Sequence, residues 1–187
     1  MTKWRYMTDE IYSASSDIVS IDKKDIHDLK KKVMQCPNQR IRICAHQASD
    51  DRLHEMLIVI TQSSYIRPHK HQHKSESFHL IEGLLDVLIF NDQGDIIELI
   101  EMGDVLSGKK FFYRLSSSYF HTLVLRTDLV VFHETTNGPF VKEHTVYAPW
   151  APDQSDHDAK KVFDDDIARK INIYVEHMSR DSSLHSG

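Results

Sequence analysis

The sequence predicts an all-β fold of the sandwich or jelly-roll class, and three observations predict it. Short apolar runs alternate with period two, turn-forming residues separate them at short intervals, and no helical pattern interrupts them between residues 40 and 149. Ahead of these runs, Ile26, Leu29 and Val33 recur at helical spacing. Asp22 is placed to cap the first turn and Cys36-Pro37-Asn38 to stop the last, which predicts one short amphipathic helix within Ile21 to Gln35.

The period then changes. Ile41, Ile43 and Ala45 alternate with Arg42, Cys44 and His46, and Met56, Ile58 and Ile60 alternate with Glu55, Leu57 and Val59. Further strands are expected at Phe78 to Ile81, Leu84 to Phe90, Ile96 to Ile100, Phe111 to Leu115, Thr122 to Leu125 and Leu129 to Glu134. Glu82-Gly83, Asn91-Asp92-Gln93-Gly94, Met102-Gly103-Asp104, Arg126-Thr127-Asp128 and Asn137-Gly138-Pro139 break the runs. The expected organisation is an N-terminal segment with one helix (1–39), a barrel (40–149) and a polar C-terminal extension (150–187). In that extension Ile171 to Val175 fits either a strand or a helical turn.

Composition narrows the function. The chain has 187 residues, 40% hydrophobic and 27% charged, as in a globular protein of one domain. A net charge of -5 gives no electrostatic reason to bind nucleic acid or an anionic membrane. Neither a signal peptide nor a spanning segment is expected, so the location expected is cytoplasmic. Cys36 and Cys44 are too few for a disulfide framework and lack CxxC spacing, so both read as free thiols. The outlying number is 13 His, of which four fall between His69 and His79.

That cluster carries the chemistry. In an extended strand His69 and His71 point to one face and can present two imidazoles to one point. Glu76 shares its parity with Phe78 and Leu80, so its carboxylate falls on a core-filling face, where an unpaired charge is costly and a bound cation removes the cost. His121 shares its parity with Leu123 and Leu125 and should also face the interior. Three nitrogens and one oxygen suit one divalent transition metal: Fe(II), Mn(II), Ni(II), Zn(II) or Co(II). His79 has the opposite parity and is expected to face outward, and His73 is expected at the rim.

His69-x-His71, Glu76 five residues later and Gly83 resemble the first motif of the cupin superfamily. The usual glycine six residues before the first histidine is replaced by Ser63. Of the second motif only His121 remains, because Ser116, Ser118 and Leu125 stand where proline, glycine and asparagine are usual. Arg40 to His46, His54 to Ile58, Pro68 to His71, Ser75 to His79, Phe120 to Thr122 and Glu134 to Phe140 further resemble the WbuC family of cupin-fold metalloproteins, over about residues 20 to 145. The resemblance implies a single cupin jelly-roll, a double-stranded β-helix. The association of that family with clusters that build surface polysaccharides implies a sugar or sugar-nucleotide ligand.

Other residues are candidates around the metal. Arg42 could bind a carboxylate or phosphate bidentately and His46 could exchange a proton, if their strand face is the interior one. Tyr65 and Arg67 should lie at the barrel mouth, with Tyr65 a second candidate proton carrier and Arg67 a candidate substrate ligand. Arg114 and Glu134 are further candidates for binding substrate. The absence of GxSxG, Walker and dinucleotide signatures disfavours the reactions those motifs serve. The expected activity is that of a metal-dependent isomerase or epimerase, the ion acting as a Lewis acid. The alternatives are an Fe(II) dioxygenase and a non-catalytic sugar-binding metallo-cupin. The expected partner is a small carbohydrate-derived molecule, and a homodimer is an expected assembly.

Overall fold

Where the sequence alternates, the computed structural model, which describes residues 3–184, forms strands. In chain order these are β1 (Trp4–Thr8), β2 (Ile11–Ala14), β3 (Arg40–Cys44), β4 (Leu53–Thr61), β5 (His69–His71), β6 (Glu76–Glu82), β7 (Leu84–Phe90), β8 (Ile96–Gly103), β9 (Phe112–Leu115), β10 (Phe120–Leu125), β11 (Leu129–Asn137) and β12 (Thr145–Tyr147). They build a seven-stranded sheet in the order β1-β2-β3-β4-β11-β6-β9 and a five-stranded sheet in the order β12-β5-β10-β7-β8. All pairings within the sheets are antiparallel except β2 with β3. This is the expected jelly-roll barrel.

The barrel interior is filled by alternate residues of both sheets, among them Met56, Ile58, Phe78, Leu80, Val87, Leu125 and Phe132. Two strands instead carry unbroken apolar runs, Met56 to Ile60 in β4 and Val87 to Phe90 in β7, because both of their faces are covered. Helix α1 (Lys23–Val33) covers the first, burying Leu29 and Val33 against Ile41, Ile43, Leu57 and Val59. Its N-terminus is held by Asp22, whose carboxylate accepts from the backbone N–H groups of Lys24 at 2.8 Å and Asp25 at 3.0 Å. Burying Leu29 and Val33 stabilises the structure by about 1.5–3 kcal/mol each, and Val33→Asp would break that contact.

The C-terminal extension takes the helical one of the two alternatives at Ile171 to Val175. Its polar sequence forms α2 (His157–Leu184). Phe163, Ile167 and Ile171 recur four residues apart and pack on Leu88, Phe90 and Phe120, the outer face of the five-stranded sheet. Asp156 caps it by accepting from Ala159 N at 3.0 Å. The β1–β2 hairpin was unexpected; it extends the seven-stranded sheet by pairing Ile11, Tyr12 and Ser13 with Arg42, Ile43 and Cys44. No helix among the described residues is long and apolar enough to cross a membrane.

Gly83, between β6 and β7, is required by geometry. Its φ is +92°, and a Cβ there would lie 2.5 Å from the Leu129 carbonyl oxygen. The tight turn lets β6 enter one sheet and β7 the other.

Candidate metal centre

Pairing register assembles the cluster before side chains are considered. His69 of β5 lies opposite His121 of β10, while Thr145 and Tyr147 of β12 lie opposite His71 and His69. Pro68 favours an extended backbone at Arg67, which leads straight into the three-residue strand carrying both imidazoles. Glu76 opens β6 after a bend secured at two points. Ser75 N donates to Asn137 Oδ1 at 2.9 Å, and Thr136 Oγ1 donates to the Ser75 carbonyl at 3.0 Å.

The histidine ligand atoms of His69, His71 and His121 all lie within 4.8 Å of one another. Glu76, 5% exposed, reaches into the same space, with a carboxylate oxygen 2.9 Å from His121 Nε2 and another 3.4 Å from His71 Nε2. His121 Nε2 and Glu76 Oε1 are close but lack the alignment a hydrogen bond needs, and both are buried without a hydrogen-bond partner.

The other ring nitrogens explain why the Nε2 atoms are available. A carbonyl only accepts, so His69 donates from Nδ1 to the Arg67 carbonyl at 2.9 Å and His121 from Nδ1 to the Tyr119 carbonyl at 3.0 Å. In the neutral rings this leaves the Nε2 lone pairs facing the site, the arrangement metal-bound histidines use. His71 Nδ1 meets the Thr145 hydroxyl at 3.2 Å. Burial, reinforced by His121 and His71, pushes the His69 imidazole down to about 3, so it is neutral at ordinary pH. Burial alone would raise Glu76, yet His121 and His71 hold its carboxyl below the usual range. Burial opposes protonation of His121 in turn, and the Glu76 carboxylate outweighs it, which holds that imidazole above its ordinary range. Three imidazole nitrogens, two of them in rings of fixed tautomer, and a buried carboxylate fit a divalent transition metal.

A cleft of about 280 Å³, lined by His71, His73, Lys74, Ser75, Ser116, Ser118 and Asn137, opens beside His71. Its lining is polar, which leaves a hydrophilic approach to the cluster. His73 sits at this rim and His79 is exposed on the outer face of β6.

The remaining candidates divide by strand face. Ile41 and Ile43 turn outward to α1, so Arg42 and Cys44 turn inward, with Cys44 in the interior core. Glu134 shares the inward face of β11 with Phe132 and is opposite Met56 and Phe78. Burial, then Glu76, pushes its carboxyl up to about 7 against the pull of Arg42. His46 is not aimed at the cluster: it stacks on His54 with ring centroids 4.0 Å apart and 10° between planes.

Three further candidates are not brought to the cluster either. Tyr65 donates its hydroxyl to the Pro152 carbonyl at 3.1 Å and packs on Phe163 of α2; burial pushes its phenol up to about 12. Arg67 pairs with Asp153 at 2.9 Å and lies over the Tyr147 ring, contributing only its backbone carbonyl to His69. Arg114 faces outward on β9, since its neighbour Tyr113 is the buried one, and donates to Ser116 Oγ at 3.0 Å. The extension, unplaced by sequence, is what engages Tyr65 and Arg67. Thr145 was missed because it lies far along the chain, in a three-residue strand with no pattern of its own.

Residues 21–102, less than half of the chain, match a family model described as a domain of unknown function (DUF6016). No match was found among curated proteins. Among solved structures, the chain is similar to protein SO0799 from Shewanella oneidensis, at 10% identity over 55% of this chain and 66% of that one, with a TM-score of 0.45. It is also similar to a mutant of the oxalate decarboxylase OxdC of Bacillus subtilis, at 17% identity over 52% of this chain and 24% of that one, TM-score 0.41. The capsular polysaccharide assembling protein CapF of Staphylococcus aureus is similar at 18% identity over 57% and 27%, TM-score 0.43. The chain spans about a quarter of the length of the last two.

Proposed function

We propose that this protein is a metal-dependent cupin enzyme of the isomerase or epimerase type, acting on a sugar or sugar-nucleotide of surface polysaccharide synthesis. The observation that carries the metal reading is the convergence of His69, His71 and His121 on the buried Glu76, with carbonyl groups fixing the tautomers of His69 and His121. The likeness of the motifs to the WbuC family supports the choice of substrate.

A divalent ion held by these four residues would supply Lewis-acid polarisation of substrate oxygens. The chain supplies the rest. Arg42 and Lys74, the cations that act on Glu134, would orient acidic groups of the substrate. Among the groups that face the interior, the Glu134 carboxyl is the one suited to holding or releasing a proton near neutrality. Tyr65, tied to Pro152, is not suited to that role.

The test is elemental analysis of protein purified without chelator, followed by a turnover screen of sugar phosphates and nucleotide sugars. About one transition metal per chain and turnover lost in Glu134→Gln are expected. Absence of metal after reconstitution with Fe(II), Mn(II), Ni(II), Zn(II) and Co(II) would overturn the reading.

A further inference from the structure

Among the buried polar atoms without a hydrogen-bond partner, Glu76 Oε1 and His121 Nε2 belong to the candidate metal centre, while the Tyr113 hydroxyl has been assigned to nothing. Tyr113 is 5% exposed. It lies on β9 opposite Phe78, and Glu76 lies opposite Leu115, so Tyr113 and Glu76 are diagonal neighbours on the inward face of adjacent strands. An aromatic side chain spans that diagonal. The ring packs on Phe78, with centroids 5.6 Å apart, which restricts the swing of the phenol. A phenol is protonated at neutral pH, so its hydroxyl is a donor.

A buried hydroxyl with no partner is a cost to the fold that phenylalanine at the same position would avoid. Phe78 and Phe132 already fill neighbouring interior positions, so an apolar ring is compatible with this site. The oxygen needs another reason to be there, and its residue is one diagonal step from Glu76 on the inward face.

We propose that Tyr113 is a ligand-contacting residue, whose phenol donates a hydrogen bond to an oxygen of the small oxygen-rich molecule bound at the His69, His71, His121 and Glu76 centre. This rests on the metal-site reading above and adds to it a recognition element for a ligand acceptor. The ligand class is one that presents an acceptor oxygen next to its metal-binding oxygens, as hydroxy acids and acidic sugars do.

The experiment uses the full chain, wild type and Tyr113→Phe, each metal-free and Co(II)-loaded, with glycolate as the probe and the visible spectrum of Co(II) as the readout. Tyr113→Phe is expected to bind Co(II) as wild type does, to bind glycolate about tenfold more weakly, and to melt no lower than wild type when metal-free. Equal glycolate affinities, or no spectral response of loaded wild type to glycolate, would overturn the inference while leaving the metal centre standing. A lower metal-free melting temperature would make the hydroxyl a structural group, and loss of Co(II) affinity would make it a support for Glu76; either result also overturns it. If wild type itself takes up no Co(II), the proposed function falls and this inference falls with it.

Discussion

Two histidine groups lie side by side in this barrel and are built differently. His69, His71 and His121 come from two paired strands and aim their Nε2 atoms into one space beside Glu76. His46 and His54 meet face to face at 4.0 Å, nearly parallel, with His46 Nδ1 3.3 Å from the Glu55 carbonyl. The two are not remote, since Thr136 is paired with His54 on one side and with Glu76 on the other. Proximity of imidazoles is common to both groups. Convergence of lone pairs beside a buried carboxylate sets the first group apart, and there the carbonyls of Arg67 and Tyr119 enforce it.

The largest expected effect separates the groups outright. His71→Ala and His121→Ala should each abolish stoichiometric metal binding, measured by elemental analysis after reconstitution and desalting, whereas His46→Ala should retain it. Equal loss from all three would show that the stacked pair belongs to the same site. Chelation comes next. Since the ion binds the folded barrel in preference to the unfolded chain, metal at a hundredfold excess over its dissociation constant should add about 2.7 kcal/mol, or several degrees of melting temperature in a chain of this size. Glu76→Gln keeps the volume but loses the balancing charge, so its melting curve should respond less to chelator. A wild-type curve indifferent to confirmed metal removal would contradict the site.

A smaller effect tests the supporting shell. Thr145→Val removes the hydroxyl 3.2 Å from His71 Nδ1 and leaves the ligands in place. Metal affinity should fall by about 10–100-fold, with full stoichiometry still reached at saturation. Competition against a chromophoric chelator measures it, and unchanged affinity would mean that Thr145 does not set the orientation of His71.

How much of this was legible in the sequence follows from which constraints are local. Side chains two apart share a strand face, so His69 with His71, Glu76 with Phe78, and His121 with Leu125 could each be assigned a side from spacing alone. Parity does not say which side is inside. On β3 the apolar pair Ile41 and Ile43 lies outside, because α1 covers it, and Arg42 with Cys44 faces the interior. The fates of Tyr65 and Arg67 were illegible for a similar reason: Pro152 and Asp153 hold them, and those residues are near in space because β12 pairs with β5 and carries the chain past Pro68 before α2 returns to the five-stranded sheet. That return was encoded in Phe163, Ile167 and Ile171, a narrow apolar stripe within a charged segment. The second ring nitrogens of His69 and His121 meet backbone carbonyls, which every residue possesses, so no motif could announce them.

The smallest expected effect concerns the stacked pair by itself. Burial, and after it the neighbouring His54, pushes the His46 imidazole below its ordinary value, while the Glu55 carbonyl and Asp51 pull the other way and Arg42 adds to the depression. A histidine whose folded value is lowered binds fewer protons folded than unfolded in the window just below the ordinary value of about 6.5. Its contribution to stability is thus present above that window and is lost as the pH falls through it. The metal ligands also titrate, so the comparison is made with chelator present, where they contribute equally to wild type and variant. His46→Gln removes the stacked titrating ring while leaving the four metal ligands in place. Urea midpoints at pH 7.5 and pH 5.5 should therefore fall by less in metal-free His46→Gln than in metal-free wild type. Equal falls would mean that His46 takes up its proton as readily in the barrel as in the unfolded chain, and that the stacking against His54 exerts no hold on its charge.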